Sequence, residues 1–147
     1  MMGTMDSGVR MSFRLPVEPT AGATARRSVE KVMAPTIPPR LKDNLKLLLS
    51  ELVTNSFRHA GIGGGEWIDV YIHVFQKTVR VEVTDPGAGF EIERSMLLPH
   101  ERTEGWGLML VEKIAHRWGV VTDGHTKVWF ELQSETPLLE GSFDLNN

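Results

Sequence analysis

Three short segments carry side chains able to do chemistry. In "ELVTNSFRHA", Glu51, Asn55 and His59 recur every four residues, a spacing that on a helix brings successive side chains alongside each other. A carboxylate beside a neutral amide oxygen suits a hard cation such as magnesium, or the carboxylate can take a proton from an incoming hydroxyl. In "TDPGAGF", Asp85 ends an apolar strand and is followed by Gly87 and Gly89. A carboxylate there accepts a hydrogen bond from an exocyclic amine, and the glycines let a ring or backbone approach closely. In "EGWGLMLV", Gly105 and Gly107 open an amphipathic helix whose free N–H groups and dipole favour phosphate. Singly, each has a bland alternative: a solvated helix end, a "DPG" turn, a glycine before a helix.

The elements that must hold these groups follow from periodicity. Leu41, Leu45, Leu48 and Leu52 form one stripe of a helix predicted from Leu41 to Ala60, with "GIGGG" ending it. Asn55 and His59 project onto that stripe, and Glu51 lies about 60° from Leu48 at 100° per residue. The buried face therefore turns polar over its last two turns. Burying such groups without partners costs about 1–3 kcal/mol each. Either protein groups satisfy them, or this helix end borders a cavity holding water, metal or ligand. An earlier helix is expected from Thr20 to Ala34, and "PTIPP" separates the two, with Pro38 and Pro39 suiting a turn into a first helical position.

"MSFRLPVEP" reads as a first strand. "EWIDVYIHVF" and "TVRVEVTD" alternate apolar and polar residues as a hairpin turning at Gln76-Lys77. A long irregular stretch from Pro86 follows, of the kind that forms lids or binding loops. "GLMLVEKIAHRWG" is predicted as a third helix, with Leu108, Val111, Ile114, Ala115 and Trp118 on one side. "VVTDG" and "TKVWFELQS" read as closing strands before a polar tail. One open sheet with helices on one face is the simplest two-layer solution.

Composition narrows the class. The 147 residues suit one domain, 41% are hydrophobic and 24% charged, and the net charge is -3. That acidic balance argues against nucleic acid as a direct partner. Without cysteine there are no disulfides and no thiolate metal sites. No apolar run approaches the ~20 residues that cross a bilayer, so the expectation is a cytoplasmic protein with no membrane contact. His73, His100, His116 and His125 share no metal-ligand spacing, and neither a Walker A sequence nor a strand-linked GxGxxG before a helix occurs.

In combination and order, the three segments resemble the N, G1 and G2 boxes of the GHKL ATPase superfamily. The opening "FRLPVEP…ARRSVEKV", the wording "ELVTNSFRHA" and the closing "KVWFEL" are similar to its anti-sigma-factor serine kinases, the RsbW-like group. This resemblance implies an α/β (α+β) two-layer sandwich of the Bergerat ATP-binding type, with a mixed, mostly antiparallel sheet. It implies one ATP-binding domain over 11–134, between a flexible N-terminus (1–10) and a C-terminal tail (135–147). It implies ATP and Mg2+ as cofactors, Glu51 as catalytic base, Asn55 as magnesium ligand and Asp85 as acceptor of the adenine amine. Gly87 and Gly89 would shape the pocket, Gly105 and Gly107 would offer amides to the phosphates, and Leu108 completes that box. Arg58, His59 and Arg102 are further candidates for nucleotide contact. Thr126 is another, in "GHT" where the group often has a Gly-Thr pair. The implied function is a serine/threonine kinase that phosphorylates an anti-anti-sigma (STAS-domain) protein, sequesters a sigma factor and forms a homodimer. The alternative is a nucleotide-gated binding module without kinase activity.

Overall fold

A computed structural model describes residues 8–32, 37–59, 67–86 and 106–138. In chain order these form β1 (Val9–Pro16), α1 (Ala21–Val32), α2 (Pro39–His59), β2 (Trp67–Phe75), β3 (Thr78–Asp85), α3 (Trp106–Ile114), β4 (Arg117–Thr122) and β5 (Thr126–Gln133). The strands make one five-stranded sheet in the order β1-β2-β3-β5-β4, and the four described pairings are all antiparallel. Helices lie on one face: α1 near β1, α2 over the central strands, and α3 against α2 and β4. The expected α/β sandwich is therefore present.

Alternation decides which face is which. Ile68, Val70, Ile72 and Val74 of β2, Val79, Val81 and Val83 of β3, and Val128, Phe130 and Leu132 of β5 are all buried. They join Leu45, Leu48, Leu49, Leu52 and Val53 of α2 in one core. Each fully buried aliphatic side chain stabilises the fold by about 1.5–3 kcal/mol. Pro39 occupies the first position of α2, and Lys42 N–H closes the first turn onto the Pro38 carbonyl at 2.9 Å, where proline's missing donor costs nothing. Gly22 lets α1 approach α2: a Cβ there would stand 2.7 Å from Thr54 Oγ1 and 3.1 Å from the Ser50 carbonyl oxygen.

Three sequence expectations are corrected. The third helix ends at Ile114 rather than continuing through Gly119, and Trp118 belongs to β4. His116 N–H bonds to the Glu131 carbonyl at 2.8 Å, and Arg117 and Trp118 pair with Glu131 and Phe130. Strand pairing with β5 plus β-branched Val120 and Val121 outweighs the helical period. Val9 and Arg10 lie in β1 instead of in a loose terminus. Leu138 is fully buried, with its N–H on the Gln76 carbonyl at 2.8 Å, so the start of the polar tail docks on the β2–β3 hairpin. That hairpin turns where expected, Gln76 taking a left-handed φ of 52°.

The opposite sheet face is charged. Arg80 Nε donates to Glu82 at 3.0 Å, and its Nη1 donates to Glu131 at 2.9 Å. The Arg80 guanidinium also lies 4.2 Å from the Trp129 ring centroid. Arg117 reaches the other Glu131 oxygen at 3.1 Å, and Lys127 reaches Glu82 at 3.2 Å. Partial burial would raise the Glu82 carboxyl, but hydrogen bonds and charge from Arg80 and Lys127 together hold it below the ordinary glutamate range. A carboxyl depressed on folding adds stability above its unfolded pKa, and that contribution is lost as pH falls through the folded pKa. Glu82→Gln should therefore flatten the stability loss below the ordinary value of 4.5. Denaturant midpoints measured from pH 7 to pH 3 check this, and an acid slope equal to wild type refutes it.

Candidate functional site

The site is assembled by a match of lengths. Arg40, Leu41 and Asn44 share a cavity of about 410 Å³ with Gln133, Ser134, Glu135 and Thr136, so α2 starts beside the end of β5. Gln133 pairs with Thr78, the first residue of β3. The helix, packed on β3 and β5, thus runs in the direction of β3. From Leu41 to Asn55 it advances about 21 Å at 1.5 Å per residue. From Thr78 to Asp85 the strand advances about 23 Å. Asn55 and Asp85 therefore arrive at the same end of the sandwich.

Both lie in the layer between helices and sheet. Asp85 continues the inward series Val79, Val81, Val83 and is 2% exposed. Its cross-strand partner is Thr126, which is fully buried and continues the inward series of β5. Asn55 is 5% exposed, and its Nδ2 has no hydrogen-bond partner among the described residues. An amide buried with an unmade bond costs about 1–3 kcal/mol. Such a group, one helical turn from a half-buried carboxylate, Glu51, fits a polar ligand at this end of the layer. Its carbonyl oxygen is of the hard type that magnesium accepts.

The remaining candidates divide. Leu108 is fully buried at the start of α3 and fixes that helix end in the core. Gly107 lies in the first turn of α3, and Arg58 and His59 lie in the last turn of α2. Gly87, Gly89, Arg102 and Gly105 fall outside the described residues. Asp85 also borders a cavity of about 320 Å³ opening on the other side of the sheet, with Arg14, Trp67, Asp69, Thr84, Pro86 and His125. Arg14 Nε donates to Asp69 at 2.8 Å, and its guanidinium lies 5.9 Å from the Trp67 ring. This cluster escapes sequence reading because its members come from four separate segments with no shared spacing. Asn55 lines no described cavity. No described helix is long and apolar enough to cross a membrane.

Comparison with known proteins identifies the family. The histidine kinase-like ATPase domain family matches residues 15–132, and the chain belongs to it. Among its relatives is the serine-protein kinase RsbW of Listeria innocua serovar 6a, 29% identical over 126 residues that span 77% of this chain and 78% of the relative. The RsbW of Listeria monocytogenes serotype 4a matches with the same identity and coverage. The resemblance to GHKL proteins of the RsbW group is thereby upheld. The histidine kinase domain of the blue-light activated histidine kinase from Erythrobacter litoralis EL346 shares the fold, with a TM-score of 0.52 at 19% identity. That match covers 80% of this chain and 61% of the solved one.

Asn55 Nδ2, which finds no partner among the described residues, weakens the nucleotide-free fold. Asn55→Leu, similar in volume and without a polar group, should stabilise the nucleotide-free protein by about 1 kcal/mol. A thermal melt reads this as a rise of a few degrees. A fall in midpoint would mean the amide is satisfied within the fold.

Proposed function

We propose that this protein is an ATP-dependent serine/threonine kinase that phosphorylates a STAS-domain anti-anti-sigma protein in the cytoplasm and holds a sigma factor. What supports the reading is the burial of both Asn55 and Asp85, which matched element lengths would bring to one end of the layer, with the Asn55 amide short of a partner among the described residues. The RsbW relatives bear the name serine-protein kinase, which supports the reaction class. The nucleotide-binding unit is a single domain over residues 11–134, active as a homodimer.

Phosphoryl transfer asks the protein mainly for position and charge. Asp85, held beside Thr126, receives the adenine amine, and Gly87 and Gly89 give the ring room. Gly105 and Gly107 direct amides at the phosphates, and Leu108 anchors that end of α3. Arg58, His59, Arg102 and Thr126 complete the nucleotide contacts. Asn55 would hold magnesium, which when bound neutralises phosphate charge. Glu51, at the edge of the buried stripe, takes the proton of the acceptor hydroxyl as its oxygen bonds to the terminal phosphorus. The bond from that phosphorus to the bridging oxygen breaks, and ADP leaves.

The test uses the full chain, Mg-ATP and the STAS-domain protein of the same host. Glu51→Gln should lower phosphate transfer about 100-fold or more while nucleotide affinity, read by calorimetry, stays within about threefold. Asp85→Asn should weaken ATP binding about 10- to 100-fold, the loss expected for a hydrogen bond to a buried charge. Full transfer by Glu51→Gln refutes the base assignment. ATP binding by wild type with no transfer to the partner refutes the kinase reading and leaves a nucleotide-gated binding module.

A further inference from the structure

The outward side of α2 carries a strip distinct from the polar end of its buried face. At 100° per residue, Asp43, Leu47 and Glu51 fall within about 80° of one another. Leu47 is 38% exposed, one of four large apolar side chains left that open among the described residues. A single exposed leucine is ordinary, but the setting of this one is not. Glu51 stands one turn after it and Asp43, exposed, one turn before it. Neither carboxylate has an ion-pair or hydrogen-bond partner among the described residues. The lysines at this level face elsewhere: Lys42 and Lys46 both engage Glu30 of α1. Arg40, one turn before Asp43, and Arg58, two turns after Glu51, also belong to this side of α2, and Arg40 makes no ion pair with either carboxylate. The strip leading to Glu51 is therefore an exposed apolar group between two carboxylates that pair with no described residue.

We infer that this strip selects the acceptor: Leu47 and Asp43 receive the polypeptide segment that brings its hydroxyl to Glu51. The inference rests on the kinase reading and adds to it the local chemistry of the acceptor. Along the helix axis, Leu47 lies about 6 Å and Asp43 about 12 Å from Glu51. An extended segment advances about 3.3 Å per residue, with alternate side chains on one face. Leu47 thus meets the side chain two positions from the hydroxyl, and Asp43 meets the one four positions away. The first contact favours an apolar residue. The second favours lysine or arginine, because an unpaired carboxylate attracts a cation and repels an acid. Leu47 and Asp43 act here as docking residues, and neither takes part in the transfer itself.

The experiment measures steady-state transfer from Mg-ATP to the STAS-domain protein of the same host, with mapping of the phosphorylated residue. Wild type, Leu47→Ser and Asp43→Lys are compared; both positions are exposed, and thermal midpoints verify that the variants fold. Each variant should raise the KM for the acceptor about tenfold, with kcat and ATP affinity within about twofold. Asp43→Lys should regain the wild-type KM on an acceptor whose cation four positions from the phosphorylated residue is changed to glutamate. Wild-type transfer with acceptor KM unchanged in both variants overturns the strip alone and leaves the kinase reading standing. A mapped site with neither an apolar residue at two nor a cation at four positions overturns it as well. No transfer by wild type overturns the kinase reading, and the strip's role with it.

Discussion

The seam where α2 lies along β3 and β5 governs the position of every polar group at the candidate site. Leu45, Leu48 and Leu52 on one side, and Val79, Val81, Val83 and Phe130 on the other, are all essentially inaccessible. At the packing density of protein interiors such a seam has no slack. Slipping α2 by one turn would carry Asn55 about 5.4 Å along the sheet and leave the leucine ridge without its partners. The spacing of Asn55 from Asp85 is thus inherited from aliphatic packing many residues away. The nucleotide-binding reading depends on this, since both groups must address one ligand.

The two sheet faces divide the work of the molecule. Toward the helices, β3 and β5 are apolar except at Asp85, the last residue of β3, and its partner Thr126, the first residue of β5. Toward the open side, Arg80, Glu82, Glu131, Arg117 and Lys127 neutralise one another around Trp129. Gly119 matters there, because a Cβ at that position would stand 2.8 Å from the Trp129 ring nitrogen. A face whose charges are mutually satisfied can remain exposed without drawing on the chemistry of the helix side. The buried polar groups Asn55, Asp85 and Thr126 lie instead on the helix side of the sheet.

Such concentration is costly to the folded state. Polar groups buried at the end of an apolar seam add nothing to cohesion, and an amide with an unmade hydrogen bond subtracts from it. A ligand that supplies the bond returns this energy on binding, which couples stability to occupancy. Glu51 sits half-buried at the margin of the stripe, where the base of the proposed reaction would stay open to an incoming hydroxyl.

Much was already determined by residue order. Period-3.6 leucines and period-2 valines set the long helix and the hairpin. The intrusion of Asn55 into the leucine stripe and the placement of Asp85 at the end of a valine strand marked the candidate site, because both break a local hydrophobic pattern. Where the helical period ran on through Trp118, the reading failed: pairing of Arg117 and Trp118 with Glu131 and Phe130 is a non-local bond that no local pattern announces. Burial of Leu138 under the hairpin and the Arg14–Trp67–Asp69 cluster beside Asp85 are of the same kind. Only the tertiary structure decided that Asn55 and Asp85 are both buried and that Thr126 lies beside Asp85. Those relations depend on the direction of α2 and the register of β5, and both are set by packing between segments distant in the chain.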